Sequence, residues 1–272
     1  MIKLIASDLD GTLIDANNHC DSSVSTTLKA LREKGLKFAV CSGRPIPSVL
    51  PLLKGWGLDE VSDYVIGSNG GEVLEVATGK QQTVYELSAE TLRDIIDLYS
   101  PLGIIPTLYD GMTLYVERIT EDVERVAERV GVSPVVGDIR SLTVKPELKE
   151  MFVVSPDQMR LVEQFAQEHP DPRFVGFKTA IDLFELSHPL LAKDVGVKIV
   201  ESMMHITPNE IMAFGDTTND IQMLEYVRYG VAMDNGTDDA KHAAWAIAPS
   251  VDAQGFASFI KTHLNEKLEV LS

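Results

Sequence analysis

The chain has 272 residues, with 24 Lys and Arg against 41 Asp and Glu, a formal charge of −17. A hydrophobic share of 44% and a charged share of 24% can supply a real core, which excludes a disordered chain, a collagen and a disulfide-stapled miniprotein. The length fits one large domain or two smaller ones. The acidic balance argues against a general nucleic-acid surface and against docking on anionic lipid, since both need clustered Lys and Arg. Anionic substrates stay open, because salt screens charge over about 8 Å and a local site can differ in sign from the whole.

Two cysteines, Cys20 and Cys41, cannot make a disulfide framework and lack metal-ligand spacing, which points to a reducing cytoplasm. The N-terminus turns acidic at Asp8, too early for a signal peptide. No run of about 20 apolar residues is present to span a membrane.

In chain order, Ile2 to Leu9 reads as a buried strand, Ser22 to Lys34 as a helix stopped by Gly35, Leu36 to Cys41 as a second strand and Tyr64 to Gly67 as a third. This alternation implies a parallel sheet with right-handed crossovers. The middle of the chain changes character. Short strands are expected at Glu72 to Val76, Gln81 to Leu87, Thr113 to Glu117 and Lys149 to Val154, with helices over Ser88 to Tyr99 and Thr120 to Val130. Ser155-Pro156-Asp157-Gln158 has the pattern of a helix start with a capping box. Arg173 to Lys178 and Asp182 to Leu186 are candidates for a hairpin. The α/β pattern then returns, with helices over Leu191 to His205, Thr218 to Tyr226 and Asp238 to Ala244, strands at Ile211 to Phe214 and Gly230 to Met233, and a capped turn at Thr207 to Glu210. The expected architecture is an α/β doubly wound core, residues 1–82 and 188–272, interrupted by an inserted α+β domain at 83–187.

Four short segments carry chemistry. Asp8-Leu9-Asp10-Gly11-Thr12 sits where the first strand ends. Residues i and i+2 of a strand share a face, and ligands of doubly wound sheets bind at the carboxyl ends of strands. Two carboxylates there can divide nucleophilic attack from proton transfer; the bland alternative is a common Asp-Gly turn. Cys41-Ser42-Gly43-Arg44 follows the second strand and offers a hydroxyl, a backbone N–H and a guanidinium to a phosphate, although a strand-to-helix loop needs no ligand to look the same. Gly215-Asp216-Thr217-Thr218-Asn219-Asp220 follows another core strand. Asp216 can complete a Mg²⁺ site with Asp8 and the Asp10 carbonyl, with Asp220 orienting ligands; ordinary helix capping explains the same residues. Lys193, after the insert, can neutralise a phosphoryl oxygen, yet a single lysine is more often a surface residue.

The order and spacing of these segments resemble the haloacid dehalogenase (HAD) superfamily, specifically Cof-type phosphatases with a large α/β cap (subclass IIB). Asp8 to Thr12 matches the first motif, Ser42-Gly43-Arg44 the second, Lys193 the third and Gly215 to Asp220 the fourth. Ser68-Asn69-Gly70-Gly71 resembles the Asn-Gly loop of the family, and Gly230 to Asn235 its late strand. There are two departures: Asp194 stands where the family usually has Gly, and Gly236 where it usually has Ala. The resemblance implies Asp8 as nucleophile, Asp10 as general acid/base, Ser42, Gly43, Arg44, Lys193 and Asn219 around the phosphoryl group, and Asp8, Asp10, Asp216 and Asp220 around Mg²⁺. It implies a cytoplasmic phosphatase of small phosphorylated metabolites, sugar phosphates or similar monoesters, with no nucleic-acid, membrane or obligate protein partner. A sugar phosphomutase and a non-catalytic phosphometabolite-binding protein are the alternatives. An acid beside Lys193 is expected to lower its effective charge. The six histidines, Trp56 and Trp245 receive no functional role, and nothing in the spacing of Tyr109, Asp110 and Lys178 assigns them one.

Overall fold

A computed structural model describes residues 1–110, 113–265 and 267–270, with the side chains of Asp110 and Val130 lying outside the described set. The elements follow the alternation of the sequence. The first stretch forms β1 (Leu4–Asp8), α1 (Ser22–Glu33), β2 (Lys37–Cys41), α2 (Ile46–Gly55), β3 (Tyr64–Gly67), β4 (Glu72–Glu75) and β5 (Lys80–Thr83). The middle forms α3 (Ala89–Tyr99), β6 (Ile105–Asp110), β7 (Thr113–Val116), α4 (Glu121–Val130), β8 (Ser133–Val136), α5 (Ile139–Leu142), β9 (Lys149–Val153), α6 (Met159–Glu168), β10 (Val175–Ala180) and β11 (Leu183–Ser187). The last stretch forms α7 (Lys193–Met204), β12 (Ile211–Gly215), α8 (Ile221–Tyr226), β13 (Tyr229–Met233), α9 (Asp238–Ala243), β14 (Ala246–Ala248) and α10 (Gly255–His263). Two compact units result: Met1–Val84 with Leu191–Ser272, and Tyr85–Leu190.

The first unit holds an eight-stranded sheet in the order β14-β13-β12-β1-β2-β3-β4-β5. The strands from β14 to β3 run parallel, and β4 and β5 return as an antiparallel extension. All five residues of β1 are buried, as a strand covered on both faces requires. Alternation divides them: Ile5 joins the core under α1, α2 and α10, whereas Leu4 and Ala6 face α7 and α8. Asp8 has the parity of Leu4 and Ala6, so it emerges on the α7 side. That parity is what brings Lys193, the first residue of α7, to it.

The second unit is a six-stranded sheet in the order β10-β11-β9-β6-β7-β8, antiparallel except for β7 with β8. Tyr99, Phe152 and Phe184 fill its core beside α3 and α6, with Tyr99 stacked on Phe152 at 5.4 Å. Val123 and Val126 of α4 cover Leu114, Val116 and Val153 in a second cluster.

Several expected boundaries shift for local reasons. The capping box at Ser155 does not form: Gln158 donates its N–H to the Ser155 carbonyl in a turn, its side chain donates to the Leu102 carbonyl, and α6 starts only at Met159. The expected strand at Gln81 to Leu87 stops at Thr83, and Leu87 pairs instead with Glu147 inside the second unit. Three helices escape the sequence reading: α2, the one-turn α5 and α10. Pro47 and Pro51 argue against α2, yet Ile46, Val49 and Leu53 give it a buried stripe, and Pro47 lies in the first turn, where no N–H is needed. Helix α10 buries Phe256 and Phe259 against the sheet.

Helix α7 lies unusually close to β3. A Cβ on Gly196 would meet Ile66 Cγ2 at 2.2 Å. Gly196→Ala is expected to push α7 off the sheet and cost about 1–3 kcal/mol, read by chemical denaturation.

Candidate active site

The carboxyl ends of β1, β2, β3 and β12 supply the candidate residues. Asp8 closes β1, Ser42 follows β2, Ser68 and Asn69 follow β3, and Asp216 follows β12. Four of the expected groups converge in the interior. The Lys193 ammonium, 1% exposed, donates at 2.6 Å to Asp8 Oδ1 and at 2.6 Å to Asp220 Oδ1. Carboxylate oxygens of Asp8, Asp216 and Asp220 all lie within 4.8 Å of one another, and all three residues are buried. Lys193 is therefore not a surface lysine. A buried charge persists only when paired, and here the pairs are short and two-sided.

The charges do not balance. Three carboxylates surround one ammonium. Burial drives the Asp8 carboxyl well above its ordinary value; Lys193 opposes this, while Asp220 and Asp216 add to it. Burial, then the Asp220 charge, pushes Asp216 up to about 6. Burial alone would lower Lys193, but Asp8 and Asp220 outweigh it and its pKa is raised. An excess of buried oxygen donors over positive charge suits a hard divalent cation, so the residues present fit the expected Mg²⁺.

Asp220 caps the turn, as the helix-capping reading expects, and also pairs with Lys193. Its Oδ2 accepts from the N–H groups of Asp216 and Thr217 at 3.0 and 3.1 Å, which caps the turn, and its Oδ1 holds Lys193. This use of both oxygens breaks the expected helix over Thr218 to Tyr226 into a short turn and then α8. Thr12 donates from Oγ1 to Asp216 Oδ1 at 3.2 Å. The Gly236 departure has a steric reason: a Cβ there would meet the Asp216 carbonyl oxygen at 2.4 Å. Asn235 reaches back to donate to the Gly11 carbonyl at 2.8 Å. Neither Thr12 nor Gly236 carried a signal of its own that set it above its neighbours in the motif.

Asp10 parts from Asp8. The strand ends at Asp8, so the shared face predicted by i, i+2 spacing is not maintained. Asp10 is exposed and takes Arg44 in a two-point pair, Nε to Oδ2 at 3.1 Å and Nη2 to Oδ1 at 2.5 Å. The Arg44 guanidinium thus faces a carboxylate rather than standing free. Ser42 is fully buried and its Oγ accepts from the Arg44 N–H at 3.1 Å; Gly43 lies against Asn69. Asn219 is exposed, its Oδ1 accepting from Thr217 Oγ1 at 2.5 Å. The Asp194 departure does not weaken Lys193: its carboxylate pairs along α7 with Lys198 at 2.5 Å, an i, i+4 pair at a helix N-terminus. Cys41 is buried and burial raises its thiol pKa, so it packs as a small apolar residue.

The loop after β3 is strained. Ser68, Asn69 and Gly70 take φ of 49°, 53° and 95° in succession. For the two non-glycine residues this costs about 1–2 kcal/mol each.

Residues 5–260 match the family model of haloacid dehalogenase-like hydrolases. The chain belongs to that family. A Bacillus subtilis (strain 168) relative named "Putative phosphatase YxeH" is 29% identical over 248 residues, covering 90% of this chain and 92% of the relative. Among solved structures, a haloacid dehalogenase-like hydrolase from Bacteroides thetaiotaomicron superposes with a TM-score of 0.85 at 24% identity, over 96% of this chain and 99% of its own. A structure described as the HAD subclass IIB sugar phosphatase BT4131 superposes with a TM-score of 0.78 at 21% identity, over 96% and 98%. The fold of this HAD-family hydrolase is that of subclass IIB. No described helix is long and apolar enough to cross a membrane.

Two outcomes follow from the charge cluster. Lys193→Met leaves Asp8 and Asp220 buried without their counter-charge and is expected to cost about 3–5 kcal/mol in urea denaturation. Asp216 holds a proton in the folded state that the unfolded chain releases, so from about pH 4 to 6 its contribution to stability falls as pH rises. Asp216→Asn should remove that slope and stabilise the metal-free protein at pH 7 by about 1–2 kcal/mol.

Proposed function

We propose that this hydrolase is a Mg²⁺-dependent phosphatase of small phosphorylated metabolites, working through an aspartyl-phosphate on Asp8. The observation that carries the reading is the buried Lys193 ammonium bonded to Asp8 beside two further carboxylates. An isolated carboxylate would repel a phosphate dianion. Here the ammonium and a bound cation would offset that repulsion.

Asp8, the Asp10 carbonyl and Asp216 are assigned to the metal. Asp220, whose oxygens are taken by Lys193 and two backbone N–H groups, is assigned to holding those ligands in place. When bound, Mg²⁺ supplies positive charge and orientation for the phosphoryl oxygens. Ser42, Gly43, Lys193 and Asn219 bind the phosphoryl group. An Asp8 oxygen attacks phosphorus as the ester P–O bond breaks, and Asp10 gives its proton to the leaving alkoxide. Asp10 then takes a proton from the water that cleaves the aspartyl-phosphate, which restores both carboxyl groups and releases orthophosphate. Arg44 fixes where the Asp10 carboxylate sits. The unit Tyr85–Leu190 is assigned as the cap of this architecture, and sugar phosphates or similar monoesters as the substrate class. The names of the YxeH and BT4131 relatives support phosphoester hydrolysis.

Hydrolysis of p-nitrophenyl phosphate with and without Mg²⁺ tests the reading. Wild type should be active with Mg²⁺ and lose activity to a chelator, and Asp8→Asn should lose about 10³-fold or more. Activity that survives Asp8→Asn refutes the mechanism.

A further inference from the structure

The loop after β3 has a role that the proposed reaction leaves unassigned. Its strained backbone is held from two sides. Ser68 donates its N–H to the Arg44 carbonyl at 2.9 Å, and Asn69 donates its own to the Ser42 carbonyl at 3.0 Å. Ser68 Oγ donates to Glu72 Oε2, which also accepts the N–H of Ile46 at the start of α2. On the other side, Gly70 lies so close to α7 that a Cβ would meet the Ala192 carbonyl oxygen at 2.2 Å. The loop is thus wedged between the Ser42 loop and the helix that begins at Lys193.

This wedge aims one side chain. The Asn69 carboxamide lies against Gly43, its Oδ1 3.1 Å from where a Gly43 Cβ would stand. The same Oδ1 accepts from Asn219 Nδ2 at 3.4 Å. Direction along this chain is set from its far end. Thr217 Oγ1 accepts the backbone N–H of Asp220 and donates its own hydrogen to Asn219 Oδ1 at 2.5 Å. Asn219 must then present Nδ2 to Asn69, and Asn69 must present Oδ1 in return. The two Asn69 Nδ2 hydrogens are left over; among the described residues they meet no acceptor. Three loop ends therefore fix the Asn69 carboxamide beside Gly43 and Asn219, both assigned above to the phosphoryl group, with its Nδ2 donor unengaged.

We propose that Asn69 is a substrate-binding residue, whose side-chain amide donates to a phosphoryl oxygen between Gly43 and Asn219. This rests on the phosphatase reading. It also explains why an energetically costly left-handed run is kept at a non-glycine position, since strain persists where the surroundings over-determine it.

Asn69→Gly keeps the left-handed backbone and deletes the amide. Asn69→Asp keeps shape and the acceptor oxygen but replaces the donor with a negative charge. With p-nitrophenyl phosphate and Mg²⁺, Asn69→Gly should lose about 10-fold in kcat/KM, as for one hydrogen bond to a charged group, with orthophosphate inhibition weakened in parallel. Asn69→Asp should lose about 100-fold or more and bind orthophosphate least. Neither should have a melting temperature below wild type, and Asn69→Gly, which relieves the left-handed strain, should melt at or above it. A purely structural role would lower that temperature and leave orthophosphate inhibition unmoved. Wild-type kcat/KM and orthophosphate inhibition in both variants overturn the proposal. If wild type hydrolyses no ester, the phosphatase reading fails separately, and calorimetric orthophosphate binding decides: weaker binding by Asn69→Asp supports the role, while equal or absent binding in wild type overturns it.

Discussion

One buried ammonium organises the first unit of this protein. Lys193 is almost wholly removed from water, and it persists there only because Asp8 and Asp220 accept its charge at 2.6 Å on either side. That requirement links three distant stretches of chain. Asp8 must end β1 on the face toward α7. Lys193 must be the first residue of α7. Asp220 must turn back from the β12 loop. Placing the lysine within a helix rather than at its start, or shifting β1 by one residue, would leave a buried charge unpaired.

The same cluster is over-supplied with carboxylates, and that excess makes it a candidate site beyond a structural ion pair. A lone buried pair is weak evidence of function. Here Asp216 adds a third carboxyl held by Thr12, and burial raises the pKa of both Asp8 and Asp216. Close approaches brace the elements around the cluster: a Cβ on Gly70 or Gly236 would collide with backbone at 2.2–2.4 Å, and one on Gly196 of α7 with the Ile66 side chain at 2.2 Å. The Gly236 departure from the family pattern belongs to this bracing. The Asp194 departure does not touch the cluster at all, because Lys198 neutralises it along the helix.

The sequence determined the alternating elements of the core, the insertion of a strand-rich segment, and the four motifs at strand and helix ends. These are local facts: apolar runs of strand length, glycines at helix stops, and Asp-rich turns, each legible within ten residues. The antiparallel pairing near residues 175–187 was legible for the same reason. Helix α2 was not, because its prolines speak against a helix and only packing of Ile46, Val49 and Leu53 outweighs them. The Ser155 capping box was misleading, because Gln158 found a partner in the Leu102 carbonyl, far away in sequence.

What only the tertiary structure decided is how far each charged group is from water and which partner it takes. Lys193 by itself reads as a surface residue, and burial alone makes it the counter-charge of Asp8. Asp8 and Asp10 stand two residues apart, yet one is buried against Lys193 and the other exposed against Arg44, because the strand that would align them ends between them. Asn69 reads as part of a turn until Gly43 and Asn219 are found beside it. Desolvation and pairing are sums over neighbours brought together by the fold, and local sequence does not contain them.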